Sequence, residues 1–285
     1  MLKRNFNKGT VEDFLIHLPE LQKREEDFTV VVSGMSRKII LKNGSVLKYF
    51  GSKNAECRVD GAYMVNVTKK EIDKYIALNG TPKYNVIRDV QNFNFDKIVS
   101  AIAKKTPVMG VDIRACYWNV AHKLGYISND VYKRGIEKCS KTGLLISIGC
   151  LAKKPLIKTY KNGEFVRHEF DNLQYQKYVP FYWNIIEKTH SLMNESYELF
   201  KDSWYMFLTD CIFVDVEKIK STQKFLSERG FSNKTHLIEF KSYDGHLLKW
   251  HDFKDGSDKQ IYAEKRKIQD SFALYQMKRA MLSPP

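Results

Sequence analysis

Residues 204–216 read Trp204-Tyr-Met-Phe-Leu-Thr209-Asp210-Cys-Ile-Phe-Val-Asp-Val216, a long apolar run interrupted at its middle by Thr209 and Asp210. A carboxylate left unpaired in apolar surroundings is costly. Asp210 therefore needs a cation, a nest of hydrogen bonds or a turn that lifts it to water. Just upstream, Ile185, Ile186, Leu192, Met193, Tyr197 and Phe200 recur at helical spacing, so Phe181–Phe200 should lay one apolar stripe on a sheet. An amphipathic helix feeding strand-like apolar segments sets the expectation of an α+β fold.

Further upstream, Val108-Met-Gly-Val111 reads as a short buried strand with Asp112 directly after it. Residues 117–124 read as helical. A longer helix is expected from the capping residues Ser128-Asn129-Asp130 through Lys141. In the N-terminal third, Val30–Ser33 is extended. Ile39, Ile40 and Leu41 should meet Val46 and Leu47 across Asn43-Gly44, a dipeptide suited to a tight I′ turn. Ala62–Val67 reads as a strand, followed by a helix opened by Thr68 and Glu71 in capping-box spacing and stopped at Asn79-Gly80. A helix is expected over Asp96–Lys104. Beyond Val216 come a helix (Glu217–Arg229), short strands around Asp244-Gly245 and Asp255-Gly256, and a basic helix from Glu264 to Met281.

With 285 residues, 43% hydrophobic and 28% charged, the chain is long and apolar enough to bury a core. It contains no apolar run of membrane-spanning length and does not begin with a signal peptide, so the expectation is a protein without a membrane partner, in the cytoplasm. Cys57, Cys116, Cys139, Cys150 and Cys211 form no Cys-x-x-Cys pair and no zinc-like cluster, which fits reduced thiols. A net charge of +14 favours a polyanionic partner and salt-sensitive association, or simply a soluble lysine-rich surface. The phosphate loop G-x-x-x-x-G-K-[ST] is absent, which argues against a P-loop ATPase.

Asp112 and Asp210 are the acids that need an explanation. On neighbouring strands they could converge on hard divalent ions and support two-metal phosphoryl transfer. Alternatively, Asp210 is the turn of a hairpin and Asp112 caps the helix after it. Arg134, Lys138 and Lys141, at i, i+4 and i+7, would offer a triphosphate three cations from one helix face, or form a solvated basic face.

These segments resemble B-family DNA polymerases. Asp112-Ile-Arg-Ala-Cys-Tyr117-Trp118 is similar to motif A, Asp-x-x-Ser-Leu-Tyr-Pro, matching at Asp112 and Tyr117 but not at Ser or Pro. Lys141–Gly149 (KTGLLISIG) resembles motif B, Lys-x-x-x-Asn-Ser-x-Tyr-Gly; Lys141 and Gly149 match, and Leu145, Ile146 and Ile148 replace Asn, Ser and Tyr. Phe207–Val214 (FLTDCIFV) resembles motif C, Tyr-x-Asp-Thr-Asp-Ser-Ile-Phe-Val, with Asp210 at the second acid and Leu208 at the first. Lys259-Gln-Ile-Tyr262 is faintly similar to the family's primer-binding patch. The likeness covers residues 105–216 in the family order.

What the resemblance implies is an antiparallel palm-like sheet backed by helices, with a short fingers helix at 129–142 and a small thumb-like region. The corresponding segments are 1–104 (N-terminal α+β), 105–216 (palm with fingers) and 217–285 (thumb). It implies a nucleotidyltransferase extending a DNA primer–template with dNTPs. Asp112 and Asp210 would hold two Mg²⁺ or Mn²⁺, Arg134, Lys138 and Lys141 would grip the triphosphate, and Tyr117 would lie under the sugar. Gly149, Lys259 and Tyr262 would face nucleic acid. RNA or a priming protein stays open as a further partner. So do an inactive palm-derived nucleic-acid binder, to which Leu208 and the altered motif B point, and a Mg²⁺ nuclease.

Overall fold

The alternation of short apolar runs with turn residues builds two sheets. In the computed structural model, which describes residues 5–33, 36–51, 58–84 and 93–263, the chain order is β1 (Asn5–Gly9), α1 (Val11–Lys23), β2 (Phe28–Ser33), β3 (Ser36–Leu41), β4 (Val46–Phe50), α2 (Arg58–Asn79) and α3 (Phe95–Lys104). There follow β5 (Val108–Ile113), α4 (Cys116–Lys123), α5 (Asn129–Lys138), α6 (Lys141–Gly149), β6 (Leu156–Lys161), β7 (Glu164–Phe170) and α7 (Asn172–Phe200). The last elements are β8 (Trp204–Leu208), β9 (Cys211–Asp215), α8 (Ile219–Glu228), β10 (Asn233–Tyr243), β11 (Leu247–Asp252) and β12 (Ser257–Tyr262). The basic helix expected over Glu264–Met281 lies outside the described residues. No helix among the described residues is long and apolar enough to cross a membrane.

The fold is α+β, with two sheets backed by helices. The chain divides into two compact units, each assembled from two stretches: residues 1–84 with 117–185, and residues 85–116 with 186–285. Residues 117–185 thus group with the N-terminal stretch rather than with the strands flanking Asp112.

The first unit holds the sheet β1-β4-β3-β2-β6-β7, antiparallel except for the parallel edge pair β1–β4. Phe28, Val30, Ile39, Tyr49 and Tyr160 line one face and pack on Phe14 and Leu21 of α1. Ile39 does face Leu47, and Ile40 faces Val46. The connection is not the tight I′ turn, however. Only Gly44 takes a positive φ (81°), and the loop closes when the Leu41 N–H donates to the Ser45 carbonyl at 2.9 Å. The I′ hairpin is made instead by Asn162 (φ 48°) and Gly163 (φ 76°), between β6 and β7.

Ala62–Val67 is not a strand but part of α2. A short apolar run cannot by itself separate strand from buried helix. Met64, Thr68 and Ile72 are buried at four-residue intervals, and that helical repeat decides the outcome. Thr68 is therefore mid-helix, not a cap. Glu71 accepts the backbone N–H of Ser128 at 2.9 Å and so tethers the start of α5 from another helix. The helix does stop before Gly80, which takes φ 75°.

The second unit holds the sheet β12-β11-β10-β5-β9-β8, antiparallel throughout. The Trp204–Val216 run folds back on itself as the β8–β9 hairpin, with Leu208 opposite Cys211 and Thr209-Asp210 as the two-residue turn. Successive side chains alternate between faces. Val111, Ile113, Ile212 and Val214 are buried on one side of the sheet, where α8 packs against β5 and β10. On the other side, Val108, Met206, Phe213, Ile238, Phe240, Leu248 and Trp250 form a core with Ile98 and Ala101 of α3. Asn94 caps α3, its carboxamide oxygen accepting from the Lys97 N–H at 3.2 Å. Of β10, only the C-terminal end is marked in the sequence, at Asp244-Gly245.

Candidate functional site

The face of the second sheet that carries this core becomes polar towards the Ile113 end of β5. Register fixes the arrangement. Asp112 lies opposite Cys211 on β9 and opposite Lys234 on β10, and Gly110 lies opposite His236. With side chains alternating along a strand, Lys234 and His236 share the face of Asp112. Ile238 is paired with Asp252 of β11, which extends the polar row.

Asp112 is 7% exposed. Its Oδ2 accepts from the Lys234 ammonium at 3.0 Å, while its Oδ1 is buried and has no hydrogen-bond partner. A buried carboxylate oxygen beside an ion-paired one has the chemistry to accept from a donor or to ligate a hard cation. Asp210 sits at the hairpin tip, after Thr209 at φ 56°. Its carbonyl accepts the Ile113 N–H at 2.9 Å, which fastens the tip to the residue after Asp112.

The two acids act on the same neighbours. The Lys234 ammonium is held above its usual pKa by the hydrogen bond to Asp112, against burial, with the charges of Asp112 and Asp210 adding to the effect. Burial pushes the Cys116 thiol well up, and the charges of Asp210 and Asp112 push it further. Cys116 is thus a protonated, buried thiol and no nucleophile.

A second polar group continues the row. Lys259 donates to Asp252 at 2.6 Å and to Asp255 at 2.9 Å, and the Lys254 N–H donates to Asp252 Oδ1 at 3.1 Å. His236 Nε2 stands 4.0 Å from Asp252 Oδ2. Burial lowers the His236 pKa more than Asp252 raises it, so the ring is neutral near pH 7. The ring fits because residue 110 is glycine: a Cβ there would stand 2.5 Å from His236 Cε1 and 2.6 Å from Nε2.

Of the residues singled out from sequence, Asp112 and Asp210 are brought into this electrostatic group. Lys259 belongs to the same unit but is tied to Asp252 and Asp255, and Tyr262 ends β12 with 78% of its surface exposed. Leu208, where the polymerase motif has its first acid, packs at the edge of the hydrophobic core. Lys234, His236 and Asp252 were not anticipated. The Lys-Thr-His spacing at 234–236 puts the lysine and the histidine on one strand face, but only once β10 is known to be a strand.

Tyr117, Arg134, Lys138, Lys141 and Gly149 belong to the other unit. Tyr117 is half-buried; the buried ring of that helix is the neighbouring Trp118, whose indole lies where a Cβ on Gly135 would fall, 2.8 Å away. The single basic helix expected over 129–142 is two helices. Cys139 is extended (ψ 147°) and Ser140 caps α6, its hydroxyl accepting the Gly143 N–H at 3.0 Å. A serine that satisfies a new helix start outcompetes continuation of the old one. Arg134 and Lys138 therefore share a face of α5, and Lys141 begins a different helix. All three are exposed, and Arg134 donates to the Tyr63 hydroxyl at 3.3 Å. Gly149 ends α6 with open space where a Cβ would be.

Among the described residues no group of three or more His, Cys, Asp or Glu side chains is disposed to hold a metal ion. Comparison of the chain with protein-family models, with curated proteins and with solved structures finds no match in any of the three.

Proposed function

We propose that this chain is a divalent-metal-dependent nucleotidyltransferase that extends a nucleic-acid primer, with the second sheet acting as its palm and Asp112 and Asp210 as its metal-binding acids. The observation that carries the reading is the Asp112 carboxylate: paired with Lys234 through Oδ2, 7% exposed, with Oδ1 left without a partner next to a hairpin whose tip is Asp210. Mg²⁺ and Mn²⁺ take oxygen ligands and are held by one or two carboxylates, with substrate phosphates and water completing the shell, so these two acids fit such an ion. Bound there, the ion would supply charge neutralisation at the transferring phosphoryl group.

The protein's own side chains have separate tasks. Lys234 fixes the Asp112 carboxylate through Oδ2, and Oδ1 is the buried oxygen left without a partner. The Ile113–Asp210 backbone bond holds the hairpin tip to the end of β5, so that both acids are positioned before substrate arrives. The neutral His236 adds no charge to compete for the acids. The net charge of +14 draws a polyanion to the surface as a whole.

The test is extension of a labelled primer on a DNA template, with Mg²⁺ or Mn²⁺ and with dNTPs or NTPs. Lengthening that disappears in Asp112→Asn and Asp210→Asn supports the reading. Shortening of the strand would replace it with a nuclease. One observation favours a second reading, a nucleic-acid binder without catalysis: Lys234 already neutralises Asp112, and Leu208 removes the other acid of the hairpin. Salt-sensitive DNA binding with no change in strand length, in any metal, would select it.

A further inference from the structure

The β6–β7 hairpin of the first unit carries rings and cations that its core does not use. Thr159 is paired with Arg167 but Tyr160 with Phe165, so Val166 is an extra residue on the edge strand. A bulge of this kind breaks the two-residue alternation and re-aims the side chains before it. Phe165 and His168, three residues apart, would face opposite ways on a regular strand. With the bulge between them their rings lie stacked, 6.1 Å apart and 22° from parallel. Phe170, two residues past His168, shares that face. Phe165 and Phe170 are each 51% exposed. Phe165 meets the first core at its rim, its ring centroid 5.8 Å from that of Tyr160, and Phe170 lies outside that core.

The charges of the hairpin are sorted by face. Lys158 stands opposite His168. Lys154, just before β6, holds its ammonium 5.2 Å from the centre of the Phe170 ring and 5.7 Å from that of Tyr175 in α7. Among the described residues neither lysine is drawn into an ion pair. The acids are engaged elsewhere. Glu169 is paired with Arg167 at 3.9 Å on the opposite face, Glu164 lies opposite Lys161 on that same face, and Asp171 accepts the Gln174 N–H at 2.9 Å.

We infer that this face docks single-stranded nucleic acid, with unpaired bases stacking on Phe165, His168 and Phe170 and phosphates meeting Lys154 and Lys158. Exposed rings offer π surfaces to bases, and the ammoniums beside them match the charge of the backbone. A duplex suits the face less, because its bases are already stacked on one another. A further strand added along β7 suits it less too, since the bulge at Val166 interrupts the ladder that such a strand would extend. The surface belongs to the first unit and does not rest on the metal-binding reading of Asp112 and Asp210.

The experiment follows the fluorescence anisotropy of a fluorescein-labelled oligothymidylate, single-stranded or paired with oligoadenylate, as the full chain is added in EDTA over a salt series. Wild type should bind the single strand more tightly than the duplex. Phe170→Ala should weaken single-strand binding about 5- to 150-fold with the salt slope unchanged, Phe165→Leu should act in the same direction, and Phe170→Trp should bind as well as wild type. Lys158→Gln should weaken binding and lower the salt slope by about 0.7, whereas Arg167→Gln, on the opposite face, should do neither. Binding indifferent to Phe170→Ala, or equal losses in Lys158→Gln and Arg167→Gln, overturns the inference in favour of a diffuse positive surface. Equal affinity for single strand and duplex overturns the stacking. Self-association that Phe170→Ala abolishes, without oligonucleotide binding, gives the face to a second copy of the chain and overturns it as well. Primer extension on the same preparations separates this inference from the polymerase reading. Ring-dependent binding without extension keeps the docking face and removes the polymerase; extension with ring-independent binding does the reverse. Should Phe165→Leu fail to fold, Phe170→Ala still decides, because that ring lies outside the core.

Discussion

Lys234→Ala and Asp112→Asn remove the same ion pair from opposite ends, and the structure says they should not cost the same. Asp112 is 7% exposed, and among the described residues its only hydrogen-bonded cation is Lys234 at 3.0 Å. Taking away one partner of a buried pair costs about 3–5 kcal/mol because a charge is left without compensation, whereas an exposed pair contributes about 0.2–1 kcal/mol. Lys234 is 36% exposed, so water can enter where the ammonium was, and the expected cost of Lys234→Ala falls between, at about 1–3 kcal/mol. In Asp112→Asn the buried charge itself is gone and Lys234 can turn to solvent, so the cost should stay below about 1 kcal/mol. Urea unfolding followed by tryptophan fluorescence reads the difference, since Trp204 and Trp250 lie in the same unit as the pair. The pH dependence has a definite sign. Lys234 has a raised pKa when folded, so its contribution is complete below the ordinary lysine value, about 10.4, and is lost as pH rises through the folded one. The gap between the two variants should therefore close in strong alkali. Mg²⁺, binding only the folded chain, should recover part of the Lys234→Ala loss and none in Asp112→Asn. Equal costs for the two variants, or a larger one for Asp112→Asn, would refute the picture of a buried carboxylate compensated by one lysine.

Other expected outcomes probe the same scaffold. Gly110→Ala would put a methyl group 2.5 Å from the His236 ring and 3.1 Å from Cys211 Sγ, so it should destabilise by about 1–3 kcal/mol, with much of the loss relieved in the double variant carrying His236→Ala; a fully additive double-mutant cycle would break the link. Gly135→Ala would meet Trp118 at 2.8 Å and should cost a similar amount, about 1–3 kcal/mol, read in the same denaturation assay. Burial pushes the Glu71 pKa up, but hydrogen bonds from Lys74 and Ser128 outweigh it and leave the pKa lowered. Its stabilisation is therefore present above the ordinary Glu range and lost as pH falls through the folded value, and Glu71→Gln should flatten that part of the acid unfolding curve. Asp112→Asn and Asp210→Asn should each abolish primer extension while leaving salt-sensitive DNA binding intact, measured by filter binding across a salt series.

The fold was legible where one signal acted alone. The apolar run 204–216, broken in its middle by Thr209-Asp210, reads as strand-like segments, and a hairpin turn at Asp210 is one of the two readings its sequence allows; the structure makes it the β8–β9 hairpin. The helix expected over Asp96–Lys104 likewise meets α3 to within a residue. Legibility failed where two signals competed. In Ala62–Val67 a short apolar run suited strand and helix equally, and burial of Met64, Thr68 and Ile72 decided for helix. Between Lys138 and Lys141 helix continuation competed with Ser140 as a cap, and the cap won. The site was half legible for the same reason. Asp112 and Asp210 stand out because acids are costly among apolar neighbours. Lys234, His236 and Asp252 do not, because charged residues in a mixed segment look like ordinary surface until strand pairing turns them to one face.

That pairing makes β10 the element on which fold and site depend together. Its Ile238 and Phe240 belong to the core under α3, and its Lys234 and His236 belong to the polar end of the same face, four and two residues before Ile238. Because side chains alternate with a period of two, a slip of one residue against β5 would turn both groups away at once: the core would lose Ile238, and Asp112 would lose Lys234. Register is therefore selected by the apolar half and inherited by the charged half. The charged half is a poor candidate for setting register itself. Asp112 keeps an unpartnered Oδ1, and His236 is accommodated only because Gly110 has no side chain. A strand built for stability alone would place apolar residues at all these positions, since replacing a buried ion pair by well-packed hydrophobic groups is often neutral or stabilising. The polar end of the face is thus held in place by the core beside it, and an unsatisfied carboxylate maintained at that expense is what the proposed cation-binding role of Asp112 would require.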